Sequence, residues 1–267
     1  MLAKDLVWVR GAGELGSGVA HLLHRVGFKV FLSDISPPLA IRRPVSFSDV
    51  LVENETVVEG VSAKRAKGYK LNRAKKWKHI PLFEDDPEQI LELKPVIIVD
   101  ARMMKKYTRD YRSWADLFIG LGPGFIVDEN CHLAIETMRG HDLGRIISSG
   151  APLEDTGIPG KLGGETSMRL IRATRSGQVN WLIEFGEMVR KGQRIGMINN
   201  DKPVFAPLSG MVRGMISEKT PVLKGMKIGD VDPRGETVKF QQISEKVRLI
   251  ASGVLEALIL YQNKSSK

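Results

Sequence analysis

Among 267 residues the chain has one cysteine, Cys131. An intrachain disulfide is thereby excluded, and a reducing, cytoplasmic setting is expected. No apolar run approaches the roughly 18–20 residues that a helix needs to span a bilayer, so no membrane partner is expected. The opening stretch, Met1 to Val9, is a short apolar run broken by Lys4 and Asp5, with no secretory cleavage pattern. Also missing are a serine elbow, a P-loop lysine motif, zinc-ligand spacing, paired carboxylates, and a tyrosine–lysine pair at short helical spacing. His21 and His24 lie one helical turn apart, but no third ligand clusters with them in sequence, so no metal site is expected.

What is present is globular: 42% hydrophobic and 27% charged residues, with a net charge of +9. Part of that excess is local. Lys64 to His79, "KRAKGYKLNRAKKWKH", holds eight Lys and Arg and no acid. Such a run attracts anions or is a solvated face. No nucleic-acid reading motif accompanies it, so nucleic acid is not an expected partner.

The first clear pattern is "LVWVRGAGELGSGVAHLLHRVGFKVFLSD" (Leu6 to Asp34). An apolar run ends at glycine. Leu15, Val19, Leu22, Leu23 and Val26 then recur at spacings of three and four, and a second apolar run ends at an acid. Gly11, Gly13 and Gly16 match G-x-G-x-x-G, in which the glycines allow a sharp turn, backbone approach to a pyrophosphate, and close helix–strand packing. The helix start offers N–H groups and partial positive charge to an anion. Asp34, 21 residues after Gly13, stands where an acid accepts from a ribose hydroxyl. Glu14 suits the helix dipole but competes with a phosphate if it points inward.

"VIIVDA", "LFIGLGPGF", "HLAIET" and "GRIIS" read as further strands. The expected fold is therefore α/β, a Rossmann-like doubly wound parallel sheet over 1–150. Ligands of such sheets bind beyond the strand ends. That places Asp100, Arg102, Gly120, Gly122 and Gly124 among the candidates, with Asp100 and Arg102 as groups to hold a polar ligand and Gly122 and Gly124 as cofactor-binding positions or tight turns. Arg139 and His141 are either an anion grip and proton carrier or part of a salt-bridged turn with Glu136, Asp142 and Arg145. Cys131 is either a thiolate nucleophile or sulfur carrier, or simply buried. Arg42 and Arg43 reach a phosphate or are solvated.

After Gly150 the texture changes. Residues 151–166 read as a Gly/Pro-rich linker. Sliding the chain by 33 positions then lays Ala173–Ile198 on Ala206–Val231 with ten identities, among them Ser176/Ser209, Gly177/Gly210, Val189/Val222 and Lys191/Lys224. Valine, isoleucine and regular glycines make these units strands and turns, and two copies close on each other as a pseudo-twofold β-sandwich over 167–240. Residues 241–267 form a C-terminal helix and tail, with Val247, Ile250, Val254, Leu258 and Tyr261 as its apolar stripe.

Several segments together, "GAGELGSGVAHLLHRVGF", "PPLAIRRPVSFSD", "IGLGPGF", "IETMRGHDLGRII", "DTGIPG" and "VLKGMKIGDVDPRG", resemble the YqeB-type proteins, a family assigned to the selenium-dependent molybdenum hydroxylase system. Family members often carry Asp where this chain has Glu14. The resemblance implies an accessory role in maturing such a hydroxylase, with the enzyme or its assembly factors as partners. It does not say whether the chain catalyses a reaction or forms a homo-oligomer. The expected ligand is molybdopterin dinucleotide or a related nucleotide, held by Gly11, Gly13, Gly16 and Asp34, with Arg102, Arg139 and His141 nearer any chemistry. The alternatives are an NAD(P)-dependent oxidoreductase and a non-catalytic interaction scaffold. The repeat resembles the barrel-sandwich hybrid of biotinyl and lipoyl domains. Its central hairpin, "NNDKPV", has Lys202 but no Met-Lys-Met motif, so no covalent biotin or lipoate is expected.

Overall fold

The computed structural model describes residues 5–72, 77–156, 164–165 and 167–265. Much of the expected 151–166 linker and part of "DTGIPG" lie outside them, as do residues 73–76 of the basic run. The chain forms two compact units that interleave in sequence. One draws on Met1–Ser36, Ser46–Asp155 and Ile243–Lys267, the other on Pro37–Val45 and Thr156–Gln242. A contiguous division at 1–150, 151–166, 167–240 and 241–267 differs in two places. Pro37–Val45 goes with the C-terminal repeat, and the last helix goes with the N-terminal sheet.

The first unit is built on a nine-stranded sheet. Its elements are β1 (Leu6–Arg10), α1 (Glu14–Arg25), β2 (Lys29–Asp34), α2 (Val50–Glu53), β3 (Glu55–Val58), β4 (Val61–Arg65), β5 (Ile80–Glu84), α3 (Pro87–Leu91), β6 (Ile97–Asp100), β7 (Leu117–Leu121), β8 (Leu133–Ile135), β9 (Ile146–Ile147) and α4 (Glu245–Ser265). The strand order is β3-β4-β5-β2-β1-β6-β7-β8-β9. Pairings from β4 through to β8 are parallel. Both edges close with an antiparallel strand, β3 on β4 and β9 on β8.

This corrects the expected doubly wound, Rossmann-like sheet: the sheet is mixed, and long helices do not cover both faces. The two long helices pack on each other. A Cβ on Gly18 of α1 would lie 2.1 Å from Val247 Cγ1 of α4, so only glycine admits this approach. Val247, Ile250, Val254 and Leu258 are buried, as the stripe requires. A separate apolar cluster gathers Trp8, Phe31, Phe83, Ile98 and Phe118 with side chains from connecting segments, and contains no α1 or α4 residue among those described. Its rings run in a row. Tyr69 stacks on Phe83 at 5.4 Å, Phe31 on Trp8 at 6.3 Å, Trp8 on Trp114 at 6.2 Å and Tyr111 on Phe118 at 5.3 Å. Aromatic side chains from irregular connections and a single 3-10 turn (Arg112–Trp114), helped by the five-residue α3, cover what a crossover helix would cover in a doubly wound fold.

The second unit contains β10 (Leu170–Arg172), β11 (Val179–Trp181), β12 (Met188–Val189), β13 (Arg194–Ile198), β14 (Lys202–Phe205), β15 (Gly210–Met215) and β16 (Lys227–Asp232). They form two antiparallel sheets, β10-β16-β15-β12 and β11-β13-β14, in place of the expected single small barrel-sandwich domain closed by the repeat alone. The 33-residue repeat is nonetheless visible in reciprocal hydrogen bonds. Lys191 N–H donates to Ser209 Oγ at 2.9 Å and Lys224 N–H to Ser176 Oγ at 3.0 Å. Gly192 N–H donates to the Ala206 carbonyl at 2.9 Å, and Gly225 N–H to that of Ala173 at 2.7 Å. Ile41 and Pro38 complete this unit: the Ile41 carbonyl accepts from Met215 N–H at 2.8 Å, and the Pro38 carbonyl from Thr220 Oγ1 at 2.9 Å. Inside, Asp230 pairs with Arg169 and Arg213, while Asp232 pairs with Arg213 and Arg234. Burial opposes the charge on Asp232, but hydrogen bonds from Arg234 hold its carboxyl below the usual range.

Candidate functional site

The parallel strands of the first unit end along one edge of the sheet, and the residues that follow them are brought together there. Gly11 has φ +99°, a left-handed conformation suited to glycine, and its N–H donates to the Ser33 carbonyl at 2.8 Å. A Cβ on Gly11 would stand 3.2 Å from the backbone of Ala101 and Arg102. One on Gly16 would fall 1.8 Å from the Gly11 carbonyl oxygen. Gly11 and Gly16 are therefore packing positions. Gly13 is different. It precedes α1 with extended geometry, supplies no side-chain cap, and a Cβ there would meet nothing within 4 Å. The first turn of α1 thus begins beside open space, with backbone N–H groups that have no partner within the helix.

Asp34 reaches this turn, but in a bracing role. Its Oδ2 accepts from Ala12 N–H at 2.9 Å and its Oδ1 from Ile35 N–H at 2.8 Å. Burial raises its pKa, and these two N–H groups counter part of the shift. Ser17 Oγ donates to the Ala12 carbonyl and accepts from Phe47 N–H, both at 2.7 Å, so the turn is tied from two sides.

Two ion pairs stand on either side of β1. Arg10 makes a forked contact with Asp85, with Nη2 to Oδ2 at 2.7 Å, and both side chains are buried. Ser33 Oγ donates to Asp85 at 2.6 Å and accepts from Trp8 Nε1 at 2.8 Å. The Arg10 guanidinium lies 5.7 Å from the Trp8 ring and 5.6 Å from that of Trp114. Arg102 grips the fully buried Asp100 with Nε at 3.0 Å and Nη2 at 2.6 Å. Burial works against its charge, yet Asp100 more than offsets this and holds the guanidinium pKa above its ordinary value. Arg102 therefore lies beside the glycine turn, but its fork is already engaged by Asp100.

Gly122 and Gly124 face protein rather than open space. A Cβ on Gly122 would meet Met103 Cα at 3.3 Å, and one on Gly124 the Lys106 carbonyl at 2.7 Å. Gly120 is filled by the Phe125 ring. Cys131 is buried, and burial pushes its thiol up to about 12. That removes the thiolate a nucleophile needs near neutral pH. His141 is exposed. Arg139 makes an exposed pair with Glu245 at 2.7 Å. Buried Glu136 accepts from Met138 N–H at 2.7 Å and Leu153 N–H at 2.9 Å.

Two groups escaped the reading of the sequence. Asp85 lies 75 positions from Arg10, too distant for any spacing rule, although it follows an apolar strand just as Asp34 and Asp100 do. Lys246 is one residue from the α1–α4 crossing. Burial and the nearby Arg139 lower its pKa, while Glu14 and Glu136 act the other way. This half-buried lysine is thus within electrostatic reach of the residue that starts α1. Among the described residues no group of three or more His, Cys, Asp or Glu is placed to hold a metal ion, and no helix is long and apolar enough to cross a membrane.

No protein-family model matches the chain. Two solved structures with low overall similarity are a succinylglutamate desuccinylase/aspartoacylase from Rhodobacter sphaeroides and the ectoine utilization protein EutE from Ruegeria pomeroyi. The first is 14% identical, covers 86% of each chain and has a TM-score of 0.26. The second is 12% identical, covers 86% of this chain and 85% of its own, and has a TM-score of 0.27. At such scores the fold is read from the chain's own sheets. The chain is also 41% identical, over 268 residues, to the uncharacterized protein YqeB of Escherichia coli K12, in a match covering 98% of this chain and 49% of that protein. It is thus a homologue of YqeB along nearly its whole length, and it spans about half the length of that relative.

Proposed function

We propose that the chain binds a nucleotide-containing ligand, molybdopterin dinucleotide or a close relative, at the β1–α1 turn, and that it acts as an accessory protein in maturing selenium-dependent molybdenum hydroxylases. The observation that carries the binding half is Gly13, which alone of the three turn glycines borders open space, at the uncapped start of a twelve-residue helix. An anion there meets the positive end of the helix dipole. Lys246 and Arg139 add positive charge on the α4 side, and Glu14 and Glu136 limit it. Such a turn would hold the pyrophosphate through backbone, so the ligand's reactive part would be carried rather than transformed. The resemblance to YqeB-type proteins supports the hydroxylase association.

The test is mass spectrometry of small molecules released from the purified chain, together with hydroxylase activity in cells lacking the gene. The proposal expects a pterin dinucleotide in the released fraction and loss of hydroxylase activity without the gene. Full hydroxylase activity in the deletion strain overturns the maturation half. Release of NAD(P) with no pterin overturns the ligand half and favours an oxidoreductase.

A further inference from the structure

We propose a second ligand site, separate from the glycine turn, that binds a nucleoside phosphate in a basic cleft between β4 and the start of β5. The cleft has a volume of about 480 Å³, within the usual range of about 300–1,000 Å³ for small-molecule sites. Its walls divide by chemistry. Ala66, Leu71, Trp77 and Pro81 are apolar, whereas Arg65, Lys67, Lys70 and Lys78 are cationic, and His79 adds an imidazole. No acidic residue lines it among the described residues.

Cations on a protein surface are usually balanced nearby, and here they are balanced unequally. Arg65 is engaged: it donates to the Leu51 carbonyl at 2.9 Å and lies 3.7 Å from Glu84. Lys64, just outside the cleft, pairs with Glu55 at 3.0 Å. Lys67, Lys70 and Lys78 are exposed and have no ion pair among the described residues. Three uncompensated ammonium groups around one concavity focus positive potential into it.

The apolar wall selects among anions. Trp77 is half-buried, and its indole N–H donates to the Asn72 carbonyl at 2.8 Å, which fixes the ring. A fixed indole beside lysines suits a planar base joined to a phosphate, because the base stacks while the ammonium groups take the charge. Inorganic phosphate would use only the cationic half. A neutral nucleoside would use only the apolar half.

The experiment is a titration of the purified full chain with ATP, adenosine, inorganic pyrophosphate, an acidic peptide and a twelve-nucleotide single strand, read by calorimetry at low salt. Three variants are compared: Lys70→Ala/Lys78→Ala, Trp77→Leu and Gly13→Asp. The expected result is ATP binding that exceeds both adenosine and pyrophosphate. The double lysine variant should weaken it about tenfold or more, as loss of charged hydrogen bonds does. Trp77→Leu should weaken ATP but leave pyrophosphate unchanged. Gly13→Asp should remove any ATP taken by the glycine turn, so the ATP binding that persists in it, and that the lysine substitutions then weaken, is the share belonging to this cleft. The lysines are exposed, so their removal does not threaten folding. Unchanged ATP binding in the double lysine variant overturns the proposal. So does binding of the single strand or the acidic peptide that ATP cannot displace.

Discussion

Replacing Gly13 with aspartate should separate ligand binding from folding. The backbone at Gly13 has φ −67° and ψ −176°, the extended geometry of an ordinary helix N-cap, and a side chain would enter open space. Aspartate there gains a few tenths of a kcal/mol as a cap. It adds about 0.3–1 kcal/mol with the helix dipole, and a comparable amount through a stiffer unfolded chain. Repulsion from nearby carboxylates subtracts from this. The net expectation is a gain of about 1 kcal/mol, seen as a rise in melting temperature of roughly 2–4 °C for a unit of this size. The same carboxylate would face a bound pyrophosphate and should weaken it by about tenfold or more. Gly16→Ala provides the contrast. Its Cβ would fall 1.8 Å from a backbone oxygen, so it should destabilise by about 3 kcal/mol or more. Thermal unfolding and ligand titration of both variants provide the assay. A Gly13→Asp protein that melts well below the parent, or that binds the dinucleotide as tightly, refutes the reasoning.

Other expectations follow from the packing and the buried groups. Cys131, its thiol pushed up to about 12, should resist iodoacetamide at pH 8 in the folded chain and react once the chain is unfolded in urea; rapid labelling of the native protein would contradict this. Gly18→Ala drives a methyl against Val247 and should cost about 1–3 kcal/mol in denaturant unfolding, relieved in part by Val247→Ala; no loss would mean that α1 and α4 do not meet there. Burial lowers the pKa of His21 below 6.5, its ordinary value, against the opposing pull of Glu59. Below that value the unfolded chain binds the proton more readily than the folded one, so stability present at pH 7.5 should fall as the pH drops through 6.5. His132 is shifted the same way by burial, so His21→Gln should remove only part of that slope, and an unaltered slope would count against His21.

Local order was the legible part of this chain. The β1–α1–β2 run announced itself because a strand, a glycine turn and a helix stripe all fall within about thirty residues, and each rule involved is short-range. The repeat was legible for the same reason, and Lys191/Lys224 with Ser176/Ser209 now exchange their hydrogen bonds across it. What could not be read was the second face of the nine-stranded sheet. Trp114, Tyr111 and Tyr69 cover it from segments with no helical or strand period, so nothing in their spacing marks them as core. Asp34 reads from sequence as a strand-end acid, but its two backbone partners are visible only in three dimensions. Gly122 and Gly124 show the limit of glycine patterns: they accommodate backbone of the neighbouring segment at the positions where a ligand was expected.

The proposed role of the β1–α1 turn is to hold a pyrophosphate-bearing ligand. Calorimetric titration of the purified chain with molybdopterin dinucleotide, run beside Gly13→Asp, tests it most directly. Saturable one-to-one binding by the parent and at least about tenfold weaker binding by the variant are expected. No heat of binding with the parent, or identical isotherms for the two proteins, would contradict it.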